Sequence, residues 1–195
     1  VHPNDLGMTW IAQKFFQNLD RLGLVFSKAG NFGREIFVSR TGDDSNDGTT
    51  DSALKSVEAA LKIAHPGDKI IVRAGQYSKS KIVIDSFSGT KDRPLIIKAE
   101  VGSKVILDGK DAFPAESKEF EDKSHTGAVL DIRDSKYVIV EGFEVANSQG
   151  YGISTWNSEN IIVRNCVIHD TYSRGLGGTG AHLVFESNEV YNAAL

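Results

Sequence analysis

Asn147, Asp170 and Asn192 fall 23 and then 22 residues apart, each near the end of a short run of alternating apolar and polar residues. Brought together, such oxygen-bearing side chains could ligate calcium, which takes several oxygens from Asp, Glu and Asn. Stacked one above another, they could instead hydrogen-bond the turn backbone and each other as a ladder. Asn147 and Asp170 are therefore candidates both for a metal site and for a structural stack. His169 and Arg174 lie in "HDTYSRG", beside Tyr172, where they could contact an acidic sugar. The alternative is a solvated turn arginine and a histidine facing out of a strand. Tyr151 and Trp156 lie between two similar phrases. Exposed, they suit stacking on the C–H face of a pyranose; turned inward, they fill a core.

The elements that must position these residues repeat. "YVIVEGFEVANS", "NIIVRNCVIHDT" and "HLVFESNEVYNA" align so that Val140, Val163 and Phe185 share a register, as do Val145, Ile168 and Val190. A period in the low twenties marks a solenoid whose units cannot bury their apolar faces alone. The Leu signature and helices of leucine-rich repeats are missing. Each unit is instead two or three runs of β-branched residues broken by Gly, Asn and Ser. This predicts an all-β fold, a parallel β-helix, with successive coils about 4.8 Å apart. "KIIVRAGQY", "KIVID", "LIIKAE", "KVILDG" and "AVLDIRD" extend the pattern backwards, giving about five coils in all. The polar stretch 108–127 breaks the repeat and reads as a projecting loop, which could border a binding face.

A β-helix must cover its open strand edges. "DSALKSVEAALKIAHPGD" supplies an N-terminal capping helix near residues 52–64, started by Asp51 or Ser52 and stopped at Pro66-Gly67. The chain then divides into a helical arm or cap over 1–34 and the β-helix over 35–195. An amphipathic segment over 9–26 carries Phe15 and Phe16, a candidate self-association contact. No closing segment follows the last repeat. Either another chain covers that end or further coils follow, and the opening Val1 suggests a removed leader or a trimmed start.

Net charge is −4, with no basic run, which argues against a nucleic-acid partner. No apolar stretch is long enough for a transmembrane segment. Cys166, the single cysteine, is expected to be buried and inert. "DDSNDGTTDSAL" begins like an EF-hand loop but has Leu54 where the bidentate Glu belongs, so it reads as a tight turn. "GLGGTG" lacks the lysine and helix of a phosphate loop and reads as a flexible coil turn.

From "IFVS" and "DDSNDGT" through the helix, "PGDKIIVRAGQY" and "SGTKDRPLIIKAEVGSKVILDG", the chain resembles right-handed parallel β-helix proteins that act on polysaccharides. The nearest likeness is to polysaccharide lyases of the pectate lyase type. The resemblance implies a secreted or extracellular protein acting on acidic, uronic acid-containing polysaccharide by β-elimination, with Ca2+ as a possible cofactor. A calcium ion or Arg would neutralise the sugar carboxylate, and a Lys, Arg or His would take the neighbouring proton. The family's clustered Asp set followed by Lys does not occur here, so no catalytic residue is carried over. Glycoside hydrolases, epimerases and non-catalytic carbohydrate-binding or surface-assembly proteins on the same fold are the alternatives.

Overall fold

The computed structural model describes residues 33–78, 80–110, 112 and 127–193. Most of the expected arm, including the 9–26 segment, and most of the 108–127 loop lie outside them. From Glu35 onward the chain winds as a right-handed parallel β-helix with three faces. Face one is built from β1 (Glu35–Val38), β2 (Lys69–Val72), β5 (Leu95–Ala99) and β8 (Lys136–Glu141). It continues through the second halves of β10 (Tyr151–Arg164) and β12 (Leu176–Glu186). Face two is β3 (Gly75–Ser78), β6 (Val105–Asp108), β9 (Glu144–Ser148), β11 (Val167–Thr171) and β13 (Glu189–Ala193). Face three is β4 (Ile82–Asp85), β7 (Ala128–Arg133) and the first halves of β10 and β12. β10 and β12 run round one corner without a break, so a single sheet spans faces one and three.

Every coil-to-coil pairing is parallel and side chains alternate, so equivalent residues form columns. One interior column of face one runs Ile36, Ile70, Ile97, Val140, Val163, Phe185. The register expected from the repeat is therefore the structural one. Face two carries Tyr77, Leu107, Val145, Ile168 and Val190 in one line. Most of these side chains are fully buried. Burying each Ile, Leu or Val contributes about 1.5–3 kcal/mol. Phe185 and Val190, on the last strands of their columns, remain 40% and 45% exposed. On the outer side of face one, Lys98, Glu141, Arg164 and Glu186 alternate in charge. Arg164 pairs with Glu141 at 3.0 Å and with Glu186 at 3.8 Å.

The corners are columns too. Asn147, Asp170 and Asn192 stack with φ of 56°, 53° and 49°. Ser86, Asp134 and Asn157 do the same at 55°, 46° and 45°. A single left-handed residue turns the strand sharply, and Asn and Asp tolerate that conformation best. Asn157 donates to Asp134 at 2.5 Å and Asn192 to Asp170 at 3.1 Å. Asn147 donates to Asp108 at 3.0 Å. Inside one corner, the buried Ser135 hydroxyl donates to the Ile84 and Arg133 carbonyls, and the Ser158 hydroxyl to the Ile132 and Trp156 carbonyls. Cys166 is buried as expected; burial pushes its thiol pKa up.

The cap begins later than its sequence suggests. α1 spans Val57–Ile63, and Ser56, not Asp51 or Ser52, is its N-cap, accepting from the Ala59 amide at 3.1 Å. Leu54 is held extended against β1 by bonds to Phe37 and Ser39, covering that edge. Edge pairing thus overrides helix propensity at 51–55. Asp43 and Asp47 fold the preceding loop by accepting from Ser45 and Thr49, the tight turn expected.

Three tests follow. Ile161, fully buried, should lose about 2–5 kcal/mol on substitution by Ala, and the outward Ile162 distinctly less, by urea unfolding. Asn147→Gly should cost less than Asn147→Ala, because Gly keeps the left-handed backbone and loses only the bond to Asp108. Asp108 is 4% exposed; burial raises its pKa, but bonds from the Lys110 amide, Asn147 and Gln76 outweigh burial and hold it below the usual carboxylate range. Its contribution is therefore complete above the unfolded value of about 3.9 and is lost as pH falls through the lower folded one. Asp108→Asn should cost about 1–3 kcal/mol near neutrality and flatten the acid limb of the stability profile.

Candidate functional site

Along the first half of β10, alternation sends Ile153 and Thr155 inward and Ser154 and Trp156 outward. The coil beneath places Asp131 beside Ser154, and Arg133 beside Trp156. Asp85 pairs with Arg133 one coil further down. Asp131 is 5% exposed and fully engaged. Its Oδ1 accepts from Ser154 Oγ at 2.6 Å, and its Oδ2 from Arg133 Nε at 2.6 Å and Nη2 at 2.5 Å. The buried carboxylate thus fixes the plane of a guanidinium whose outer part reaches solvent. Trp156, 43% exposed, stands next to it.

The coil above keeps this surface low. Gly177 pairs with Ser154, and Gly178 with Thr155. A Cβ on Gly178 would fall 2.1 Å from the Thr155 carbonyl oxygen, so the two strands can meet this closely only with glycine there. The expected flexible turn at "GLGGTG" is instead the paired start of β12. Arg174, in the corner between β11 and β12, crosses the Gly177 floor; its Cδ is 3.9 Å from where a Gly177 Cβ would sit. Tyr172 in that corner is 65% exposed, and Tyr151, half-buried, begins β10. The outer side of face three thus offers an indole, two guanidiniums and a floor without side chains. Guanidiniums bind carboxylates bidentately, and an indole packs against sugar C–H groups.

Other candidates from the sequence lie elsewhere. His169 is on face two, its ring parallel to Tyr191 with centroids 4.8 Å apart. Nδ1 is 2.7 Å from Asp170 and Nε2 is 3.5 Å from Glu144, which also binds Lys104 at 2.8 Å. Bonds from His169 and Asn192 hold the Asp170 carboxyl below its ordinary range. Asn147 faces Asp108 across the ladder. Asn147 and Asp170 therefore share a corner column whose hydrogen bonds close within the chain. Among the described residues, no group of three or more His, Cys, Asp or Glu is placed to hold a metal ion.

Asp131, Arg133 and Ser154 were not singled out from the sequence. A signal existed: the 23-residue offset that aligns Val140 with Val163 also sets Asp131 opposite Ser154 and Arg133 opposite Trp156. It is weak because Asp131, Arg133, Ser154 and Trp156 all lie outside the three aligned phrases.

Comparison with known proteins bears on this geometry. A pectate lyase, PEL9, of Emericella nidulans is 29% identical over 143 residues, covering 72% of this chain and 34% of the relative. The chain thus spans about a third of that relative's length. The crystal structure of pectate lyase Pel9A superposes with a TM-score of 0.56 and 21% identity, over 76% of this chain and 38% of that one. A GH136 lacto-N-biosidase from Eubacterium ramulus gives 0.63 and 18%, over 81% and 34%. At these identities the two structures show the fold alone. Residues 36–194 match the family described as Pel9A-like, right handed beta helix region, and the chain belongs to that family.

Proposed function

We propose that this chain is the substrate-binding front of a carbohydrate-active protein of pectate lyase type, and that the outer side of face three holds an acidic polysaccharide. The observation that carries this is the pairing of exposed Trp156 with Arg133, the latter oriented by buried Asp131, beside a glycine floor crossed by Arg174. The relationship to a pectate lyase over most of the chain supports it. On this reading the indole packs on a uronate ring and the guanidiniums bind its carboxylate. Neutralising that carboxylate acidifies the neighbouring carbon-bound proton, the requirement for β-elimination. When bound, calcium would supply further neutralisation, and no step is assigned to it. The reading assigns no catalytic base. Such a polymer lies outside the cell, so the reading entails secretion.

Trigalacturonate binding, followed by calorimetry, tests the site. Trp156→Ala and Arg174→Gln should each weaken it about tenfold, in line with the roughly 1.5–3 kcal/mol of a charge-assisted bond. Melting temperature should change little for Arg174→Gln, whose side chain lies over an open floor. Incubation with polygalacturonate and calcium tests the chemistry, through the ultraviolet absorbance of the unsaturated product. Binding without product is the result expected of a substrate-binding front alone, and product would place the catalytic base within this chain. Unaltered binding in both variants would remove face three from the reading.

A further inference from the structure

A second groove, of about 720 Å3, lies at the capped end, between the segment leading into α1 and the strand β3 with its corner to β4. It shares no residue with the face-three cluster. Its size falls within the about 300–1,000 Å3 of small-ligand sites. Arg40 and Lys55 contribute two cations to its lining. Among the described residues, neither head group enters an ion pair, and both residues are exposed. Arg40 is placed by a missing side chain: a Cβ on Gly75 would lie 2.7 Å from its Cδ and 3.2 Å from its Cγ. The arginine stem thus rests across the start of β3, toward Tyr77, whose hydroxyl is tied to the Arg73 carbonyl at 3.0 Å.

Asp44, on the same wall, is already occupied, and the carboxylate on which the Lys55 charge acts is Asp43 of the preceding loop. Asp44 Oδ1 accepts from the Lys55 and Ser56 amides, and its Oδ2 from Ser56 Oγ, all at 2.8 Å. Gln76 donates its amide nitrogen to Asp108, which leaves its oxygen as an acceptor in the groove. The exposed Ser78 adds a hydroxyl. Asp44 and Glu58 on the same wall offset much of the positive charge, so a densely charged sulfate or phosphate chain is disfavoured. One carboxylate set among hydroxyls fits better. We propose that this groove is a second carbohydrate site, separate from the Trp156 and Arg133 cluster, that takes a uronate residue with its carboxylate on Arg40 and Lys55 and its hydroxyls on Gln76 and Ser78. It rests on the acidic-polysaccharide reading above and extends it to an anchoring contact.

Amide NMR shifts and calorimetry with trigalacturonate, its methyl ester and maltotriose test this. The expected result is that trigalacturonate shifts the Gly75 and Ser78 amides, that the methyl ester and maltotriose leave them in place, and that Arg40→Gln with Lys55→Gln removes these shifts and weakens this binding at least tenfold. Shifts at Trp156 should persist in that double variant. Absence of any shift at Gly75 and Ser78 while Trp156 responds would overturn the second site and leave face three intact. Equal response to maltotriose would overturn the uronate assignment here. No binding of trigalacturonate anywhere would sink the acidic-polysaccharide reading itself, and the second site with it.

Discussion

Parallel, in-register pairing between successive coils is the constraint from which the rest of this molecule follows. Each coil donates its backbone hydrogen bonds to the coils above and below, so a residue's position within one coil fixes its neighbours in the next. A one-residue slip would turn a whole face inside out, exposing the Ile70, Ile97 and Val140 column and burying Lys98 and Glu141. The interior columns of β-branched residues supply most of the stabilisation and also lock the register.

The same constraint explains why polar residues recur. A coil of three flat faces must turn sharply at each corner, and the turn is made by one left-handed residue. Because corners stack, so do their side chains, which then satisfy each other: Asn147 with Asp108, Asn192 with Asp170, Asn157 with Asp134. At the Asp134 and Asn157 corner the next residue, Ser135 or Ser158, turns inward and its hydroxyl bonds a strand carbonyl. The asparagine column is thus first a device for bending the chain.

Function uses the outward half of the same lattice. Alternation places every second residue on the surface, and stacking brings outward residues of different coils within contact distance. Asp131, Arg133, Ser154, Trp156 and the Gly177 floor come from strands separated by about twenty residues, yet form one surface. Asp131 can sit almost fully buried because Arg133 and Ser154 satisfy it, and that burial stiffens the guanidinium that it holds. At the capped end, Gly75 does for Arg40 what Gly177 does for Arg174: an absent side chain leaves room for a long cation to lie flat.

The sequence alone determined the winding. The spacing of Val140, Val163 and Phe185 recurs because parallel pairing makes period and register the same quantity, and the structure lines those residues up in one column. It also determined the presence of a cap, though not its first residue, since Leu54's pairing with β1 competes with the helix and is not a local preference. Only the tertiary structure decided which candidates share a face. His169 and Trp156 are thirteen residues apart in the chain but stand on different faces, while Trp156 and Arg133, much farther apart, pair directly. The physical reason is that the position of a corner depends on which residue takes up the left-handed conformation. Tyr137 and His182 do so as well as Asn and Gly, and composition does not announce them.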